Sequence, residues 1–176
     1  MTSQNQKPID PFRIIGIDPG TVCTGYGVIE VFQDKYKALD YGCIRPPSRL
    51  KLSDRYLIIF NAICELLSQY TPTILSIETQ YVGQNPQSAI KLGMARGVAV
   101  VAAKRSLLSV YEYAPSKVKS AVVGNGKASK EQVQAMVKML LNLSKVPTPH
   151  DAADALALAI CHAQSIRYRE LILNEI

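Results

Sequence analysis

Two short apolar segments of the chain each end on a carboxylate, and this feature constrains the fold more than any other. The segments are Arg13–Asp18 (RIIGID) and Thr73–Glu78 (TILSIE). Both have the length and composition of buried strands, and Pro19-Gly20 closes the first with a turn. In sheets built from such buried strands, ligands bind beside the carboxyl ends of the strands. Asp18 and Glu78 end these two segments, so both are candidate site residues.

The first segment begins a predicted three-stranded meander. Residues 25–31 and 35–44 are strand-like in composition, and Gln33-Asp34 between them is a hairpin turn signal. Because each connection is short, we expect the three strands to be antiparallel.

Helices and strands alternate in the rest of the chain. Ser48 is the expected N-cap of the first helix, whose apolar residues recur at helical spacing from Leu52 to Tyr70. Later helices are predicted at 87–105, after Pro115, from the Ser129 capping box to about 143, and from His150, with a strand at 107–113. The pattern predicts an α/β fold: a mixed five-stranded sheet with helices on both faces.

The chain has the size and composition of one domain. It has 176 residues, of which 48% are hydrophobic and 19% charged. We predict a flexible N-terminal segment at 1–12, a single domain at 13–165 and a C-terminal tail at 166–176. No apolar run approaches the roughly 20 residues of a membrane-spanning helix, and the N-terminus lacks a signal peptide's apolar core. These features predict a cytoplasmic protein without a membrane partner.

The cysteines are scattered through the sequence. Their spacing contains no CxxC pair, and it predicts reduced, mostly buried thiols and no zinc site. The four residues are Cys23, Cys43, Cys64 and Cys161.

Positive charge is concentrated in one part of the chain. Residues 83–147 carry ten basic and two acidic side chains, a net charge of +8, whereas the whole chain carries +6. Such asymmetry suggests a polyanionic partner, most simply a nucleic acid. Solvated helix faces explain the same composition equally well.

Two further carboxylates lie on the last predicted helix. Asp151 and Asp154 are three residues apart in HDAADALALAI, which places both on one helix face among alanines and leucines. Each acid also has a structural alternative: Asp18 as a turn cap, Glu78 as the start of a loop, and Asp151 as part of a helix cap.

The four acids together favour a metal site. Buried, unpaired carboxylates are costly, and a divalent cation compensates several of them at once. Such a cluster holds two Mg²⁺ ions about 4 Å apart, with Mn²⁺ as a substitute, for in-line attack on a phosphodiester.

Four segments in order resemble the RuvC family of bacterial Holliday junction resolvases. They are IIGIDPGTVCTGYGVIE, IETQYVGQNPQSAIKLGMARGVAVVAA, YAPSKVKSAVVGNGKASKEQVQAMV and HDAADALALAICHA. The resemblance implies an RNase H-like fold and a homodimer that cuts opposed strands of a four-way DNA junction in recombination and repair. It also implies Mg²⁺ dependence, a branch-migration motor complex as partner, and a metal-binding catalytic role for Asp18, Glu78, Asp151 and Asp154.

The resemblance extends to residues that contact DNA. Tyr81 stands where the family commonly has Phe, and either ring can stack on a base. Lys119 and Lys130 match basic positions that the family uses near DNA, and they lie in the basic part of the chain. His150 directly precedes Asp151 and is a candidate accessory residue near the metals or the attacking water, although a surface histidine at a helix start is the commoner case.

Two other functions compete with a junction endonuclease. IDPGTVCTGYGV also resembles the phosphate loop of actin-type and sugar-kinase ATPases, but those folds need two such lobes and the chain has one copy of the loop. A non-catalytic junction-binding protein of the same fold is the second alternative.

The long apolar helix around Gly93 and Gly97 is the expected dimer interface.

Overall fold

The chain begins with a three-stranded antiparallel meander. The computed structural model describes residues 10–79 and 85–167, and its first strands are β1 (Phe12–Asp18), β2 (Thr24–Phe32) and β3 (Lys35–Ile44). Gln33 and Asp34 adopt φ angles of 46° and 66°, which suit a two-residue hairpin turn that follows the twist of its strands. The predicted meander and its turn are confirmed.

Two parallel strands extend this meander into a mixed sheet. The remaining elements are α1 (Leu52–Tyr70), β4 (Ile74–Glu78), α2 (Pro86–Arg105), β5 (Ser109–Tyr113), α3 (Pro115–Val123), α4 (Lys130–Leu140) and α5 (His150–Arg167). The strand order is β3-β2-β1-β4-β5, with β4 parallel to both β1 and β5. Because β1 and β4 are parallel neighbours, their carboxyl ends meet at one edge of the sheet.

Helices cover both faces of the sheet, as predicted. Residues of β1 alternate between two cores: Ile14 belongs to a cluster with α3, α4 and α5, while Ile15 and Ile17 belong to a cluster with α1 and α2. All three side chains are fully buried. This alternation is the period-two signature of a strand covered on both sides.

Glycines allow α5 to lie directly on the meander. A Cβ atom at Gly16 would lie 1.9 Å from the carbonyl oxygen of Ala155, and one at Gly25 would lie 2.0 Å from that of Asp151. Only a residue without a side chain fits at such distances. The first turns of α5 are thereby held against the ends of β1 and β2.

The helix starts agree only partly with the sequence. The Ser129 capping box is confirmed: its hydroxyl accepts from the Gln132 backbone N–H, and the Gln132 side chain accepts from that of Ser129. The prediction of Ser48 as an N-cap is wrong, because α1 begins at Leu52 with Lys51 as its N-cap residue. Residues 47–50 instead form a turn, in which the Leu50 N–H donates to the Pro47 carbonyl at 3.1 Å.

The terminal elements reach slightly beyond the domain boundaries predicted above. The first strand begins at Phe12, and the last helix continues to Arg167. Across 10–79 and 85–167, the helices all lack the combination of length and apolar character that crossing a bilayer requires.

Candidate active site

Parallel pairing of β1 and β4 brings two carboxylates side by side. Ile17 lies opposite Ile77 in the register, and the next residue on each strand is the acid, Asp18 or Glu78. Both acidic side chains are half-buried and line the same pocket. The strand-end acids are thus brought together as the sequence predicts.

Asp154 completes a cluster of three carboxylates. It lies on α5, which the glycines hold against the end of β1. A pocket of about 310 Å³ is formed there by these acids, two lysines and apolar residues of α3, α4 and α5. We call it the carboxylate pocket and define it by Asp18, Glu78, Asp154, Lys119 and Lys130.

Burial and mutual repulsion raise the pKa values of the three acids. The pKa of Asp18 rises to about 7, chiefly because burial disfavours its charge, and further because Asp154, Glu78 and Asp151 are negative neighbours. Burial and the charge of Asp154 also raise the pKa of Glu78, and burial raises that of Asp154 itself. Carboxylates crowded in this way either hold protons or bind a cation, and hard oxygen donors fit Mg²⁺ or Mn²⁺.

Two lysines supply part of the missing positive charge. Lys130 Nζ lies 3.8 Å from Asp154 Oδ2, and its side chain is 67% exposed. Lys130 lowers the pKa of all three acids, and Lys119 lowers those of Glu78 and Asp154. The two predicted DNA-binding lysines therefore border the pocket in which the acids lie.

The remaining predicted site residues either do not line this pocket or lie outside the residues that the structure describes. Asp151 does not line the carboxylate pocket, although its charge raises the pKa of Asp18. Its Oδ2 atom lies 4.0 Å from the Sγ atom of Cys43. His150 is exposed, and its charge lowers the pKa of Asp154. Tyr81 lies outside the described residues.

Arg96 is a site-supporting residue that the sequence analysis missed. Its Nε donates to the backbone carbonyl of Glu78 at 3.3 Å, and its Nη2 pairs with Glu112 Oε2 at 2.5 Å. Arg96 thereby ties the end of β4 to α2 and to β5. No local sequence pattern connects an arginine in a helix with a strand end eighteen residues earlier.

The cysteine prediction is wrong in one respect. Only Cys161 is buried, whereas the other three thiols are half-buried. Cys23 and Cys43 lie on neighbouring parts of the meander with their Sγ atoms 2.6 Å apart. Twenty residues separate them in the chain, so their proximity depends on strand pairing and leaves no spacing motif.

Comparison with known proteins identifies the family. The family model described as Crossover junction endodeoxyribonuclease RuvC matches residues 14–162. The chain belongs to this family. A RuvC relative from Protochlamydia amoebophila is 62% identical over 151 residues, covering 86% of this chain and 90% of the relative. A second RuvC, from Ruminiclostridium cellulolyticum, is 46% identical and covers 92% of this chain and 98% of its own length.

Solved RuvC structures have the same fold. Thermus thermophilus RuvC superimposes with a TM-score of 0.85 at 32% identity, covering 94% of this chain and all of that chain. T. thermophilus RuvC in complex with Holliday junction substrate gives the same TM-score at 30% identity, again covering 94% and 100%. The predicted RNase H-like fold is confirmed, and family membership makes the chain a crossover junction endodeoxyribonuclease. The comparisons support neither the ATPase-like nor the non-catalytic alternative.

Proposed function

We propose that this endonuclease resolves four-way DNA junctions by hydrolysing phosphodiesters in the carboxylate pocket. The observation that carries the proposal is the convergence of Asp18, Glu78 and Asp154 from two strands and a helix in one open pocket. A solved relative in complex with a Holliday junction supports the choice of substrate. The acids account for hydrolysis, and the basic part of the chain accounts for DNA affinity.

The same pocket is the proposed metal site. Asp18, Glu78 and Asp154 would hold Mg²⁺, with Mn²⁺ as a substitute, and Asp151 would join them as a fourth ligand. Carboxylate oxygens suit these hard cations. The pKa of Asp18 is raised first by burial and then by the charges of Asp154, Glu78 and Asp151, which a bound cation would compensate. Held by these carboxylates, two divalent ions would supply activation of a water and charge stabilisation at the leaving oxygen.

The protein's own side chains position the DNA and the acids. Lys130 is exposed and pairs only loosely with Asp154, so it can turn towards a phosphate when DNA enters. Lys119 borders the same pocket from α3. Arg96 holds the backbone carbonyl of Glu78 and thus fixes that carboxylate at its strand end.

A homodimer is the proposed active form. The exposed face of α2 presents Ile90, Met94 and Val101, with exposed fractions of 64%, 51% and 60%. Nothing lies within 4 Å of a Cβ atom at Gly97, which stands between them on the same helix face. A two-fold dimer through this stripe would place two identical pockets for paired cuts in two strands.

The dimer is tested by introducing a charge into this stripe. We expect Val101→Glu to raise the dimer dissociation constant at least about 100-fold, because an uncompensated buried charge costs about 3–5 kcal/mol. Leu57→Glu, at a 58% exposed position of α1, is the matched control. Light scattering reads the oligomeric state. A monomeric parent chain that still makes paired cuts would contradict the proposal.

Four further predictions accompany this function: two concern side chains, one a protein partner and one the cellular location. Tyr81 stacks on an unpaired base at the crossover, and His150 assists near the metals. The family resemblance implies a branch-migration motor complex as partner. A DNA substrate also fits the predicted cytoplasmic location.

The cleavage proposal is tested on a synthetic four-way junction with end-labelled strands. With Mg²⁺ we expect symmetrical nicks in two opposed strands, and with EDTA we expect binding without nicks. A linear duplex containing the same arm sequences controls for non-selective nuclease activity. Junction binding without cleavage under every divalent metal would instead favour the non-catalytic alternative.

A further inference from the structure

Two thiols and a carboxylate meet beside the carboxylate pocket. Cys23, Cys43 and Asp151 each offer a donor atom, and these atoms all lie within 4.8 Å of one another. Within 10–79 and 85–167, they form the one group of three such donors at this separation. We call this group the thiol corner.

Three separate parts of the fold build the thiol corner. Cys43 lies opposite Gly25 in the sheet register. Cys23 directly precedes β2, and its Sγ atom lies 2.6 Å from that of Cys43. The first turn of α5 packs against this part of the sheet, since a Cβ atom at Gly25 would lie 2.0 Å from the Asp151 carbonyl oxygen. Strand pairing and helix packing therefore fix the three donors independently of their sequence spacing.

The donor chemistry selects a different cation from that of the carboxylate pocket. Thiolates are soft ligands that favour Zn²⁺, whereas Mg²⁺ prefers oxygen ligands alone. All three residues are half-buried, so an ion can reach them from solvent. Three protein ligands leave one position of a tetrahedral zinc site for water.

We propose that Cys23, Cys43 and Asp151 form a second cation site, which takes a thiophilic divalent ion of the zinc class. A functional consequence follows, and it rests on the proposed function. Because Asp151 would also serve the magnesium site, a zinc ion that engages its carboxylate withdraws it from cleavage. Zinc therefore inhibits this nuclease from a site outside the carboxylate pocket.

Binding is measured without DNA, so that its failure is distinguishable from failure of the cleavage proposal. The full-length chain is reduced with a non-chelating phosphine and titrated with Co²⁺, a spectroscopic probe, and then with Zn²⁺. We expect a thiolate-to-cobalt charge-transfer band that Zn²⁺ bleaches at one equivalent per chain. Equilibrium dialysis with Zn²⁺ gives the affinity.

Serine variants identify the ligands. We expect Cys23→Ser and Cys43→Ser each to lower the zinc affinity at least about 100-fold, since even loss of an outer-shell partner costs about 10- to 100-fold. Cys64→Ser is the matched control, because Cys64 is a half-buried thiol on α1 outside the corner. Circular dichroism confirms that each variant is folded, and if one is not, the other carries the test.

A junction cleavage assay at constant Mg²⁺ concentration measures inhibition by zinc. Added Zn²⁺ should slow junction cleavage by the parent chain and by Cys64→Ser. The Cys23→Ser/Cys43→Ser double variant, compared with its own zinc-free rate, should be slowed much less. Equal inhibition of all three would overturn the regulatory consequence.

Two binding results would overturn the site itself. One is a cobalt spectrum without a thiolate band, together with parent zinc affinity no higher than that of the serine variants. The other is equal loss of zinc binding in Cys64→Ser, which would make the effect unspecific.

Discussion

The carboxylate pocket and the thiol corner each take one carboxylate from the first two turns of α5, and they differ in donor chemistry and in charge. The pocket gathers acids whose pKa values are raised by burial and then by neighbouring carboxylates, and Lys130 and Lys119 compensate in part. The corner gathers two thiols and Asp151, and its donors are closer together. Asp154 and Asp151, three residues apart on α5, direct their carboxylates into different surroundings.

Asp151 and Asp154 are about one helix turn apart, yet they belong to two different sets of metal-ligand atoms. Hard oxygen ligands in an open, electrostatically unsatisfied pocket suit Mg²⁺ and a phosphodiester. The soft sulfur ligands of the thiol corner suit a thiophilic ion such as Zn²⁺, and Mg²⁺ does not compete for them. We propose that catalysis takes place in the pocket, and the following predictions test that proposal.

The largest expected effect is the loss of cleavage on neutralising Asp18. We expect Asp18→Asn to lower the cleavage rate at least about 10²-fold, since losing one group that stabilises transition-state charge costs about 10²–10³ in rate. Junction binding should persist, because the basic residues supply the affinity. The measurement is a single-turnover nicking assay.

Two controls make this result specific to the pocket. Asp54→Asn makes the same chemical change at an exposed position of α1 and should cleave normally. Cys43→Ser, in the thiol corner, should retain most of its cleavage in zinc-free buffer. If Cys43→Ser lost as much activity as Asp18→Asn, the division between pocket and corner would fail.

A smaller effect is expected from the lysines that border the pocket. Replacing Lys119 and Lys130 with glutamine should weaken junction binding and flatten its dependence on salt, by about 0.9 units of slope per lost phosphate contact. Lys104→Gln is the control, because Lys104 is exposed near the end of α2, at the opposite edge of the sheet from the pocket. An unchanged slope in the double variant would reduce both lysines to solvated surface charges.

The smallest expected effect concerns stability and pH. Asp18 ionises near 3.8 when unperturbed and near 7 in the folded chain. Between these values the folded chain holds a proton that the unfolded chain has released, so the free energy of unfolding of the metal-free protein falls as pH rises. Asp18→Asn should flatten this slope, leaving the part that Glu78 and Asp154 contribute, and raise Tm at pH 8 by roughly 2–4 °C for each kcal/mol that the buried charge had cost.

The same thermal unfolding measurement also tests whether Mg²⁺ binds to these carboxylates. Added Mg²⁺ should raise Tm of the parent chain more at pH 8 than at pH 5, because protons compete for the carboxylates at the lower pH. The Asp18→Asn variant should show a smaller increase at pH 8. Equal Mg²⁺ stabilisation at both pH values would argue that the ion binds elsewhere.

Much of this site is readable from local sequence. Asp18 and Glu78 stand at the ends of apolar strands, and parallel pairing follows from the alternation of strands and helices, so their meeting is predictable. The Asp151–Asp154 spacing likewise places the two acids within the first two turns of a helix, one turn apart. Periodicity and strand ends carry this information because they are local.

The remainder depends on contacts between distant segments. Nothing near Arg96 in the sequence announces its bond to the Glu78 carbonyl, and nothing near Cys23 announces Cys43. The wrong N-cap at Ser48 has a local cause: residues 47–50 close a turn of their own, so the helix starts later. Asp151 lies outside the pocket and near Cys43 because of the way α5 packs on Gly25.

The central claim is that Asp18, Glu78 and Asp154 hold the catalytic cation. Anomalous diffraction from crystals soaked in Mn²⁺, with a parallel Zn²⁺ soak, tests it most directly because each metal is located by its own absorption edge. We expect manganese between these three carboxylates, and zinc between the Cys23 and Cys43 sulfurs. Manganese found away from all three carboxylates, in crystals whose pocket is open to solvent, would contradict the claim.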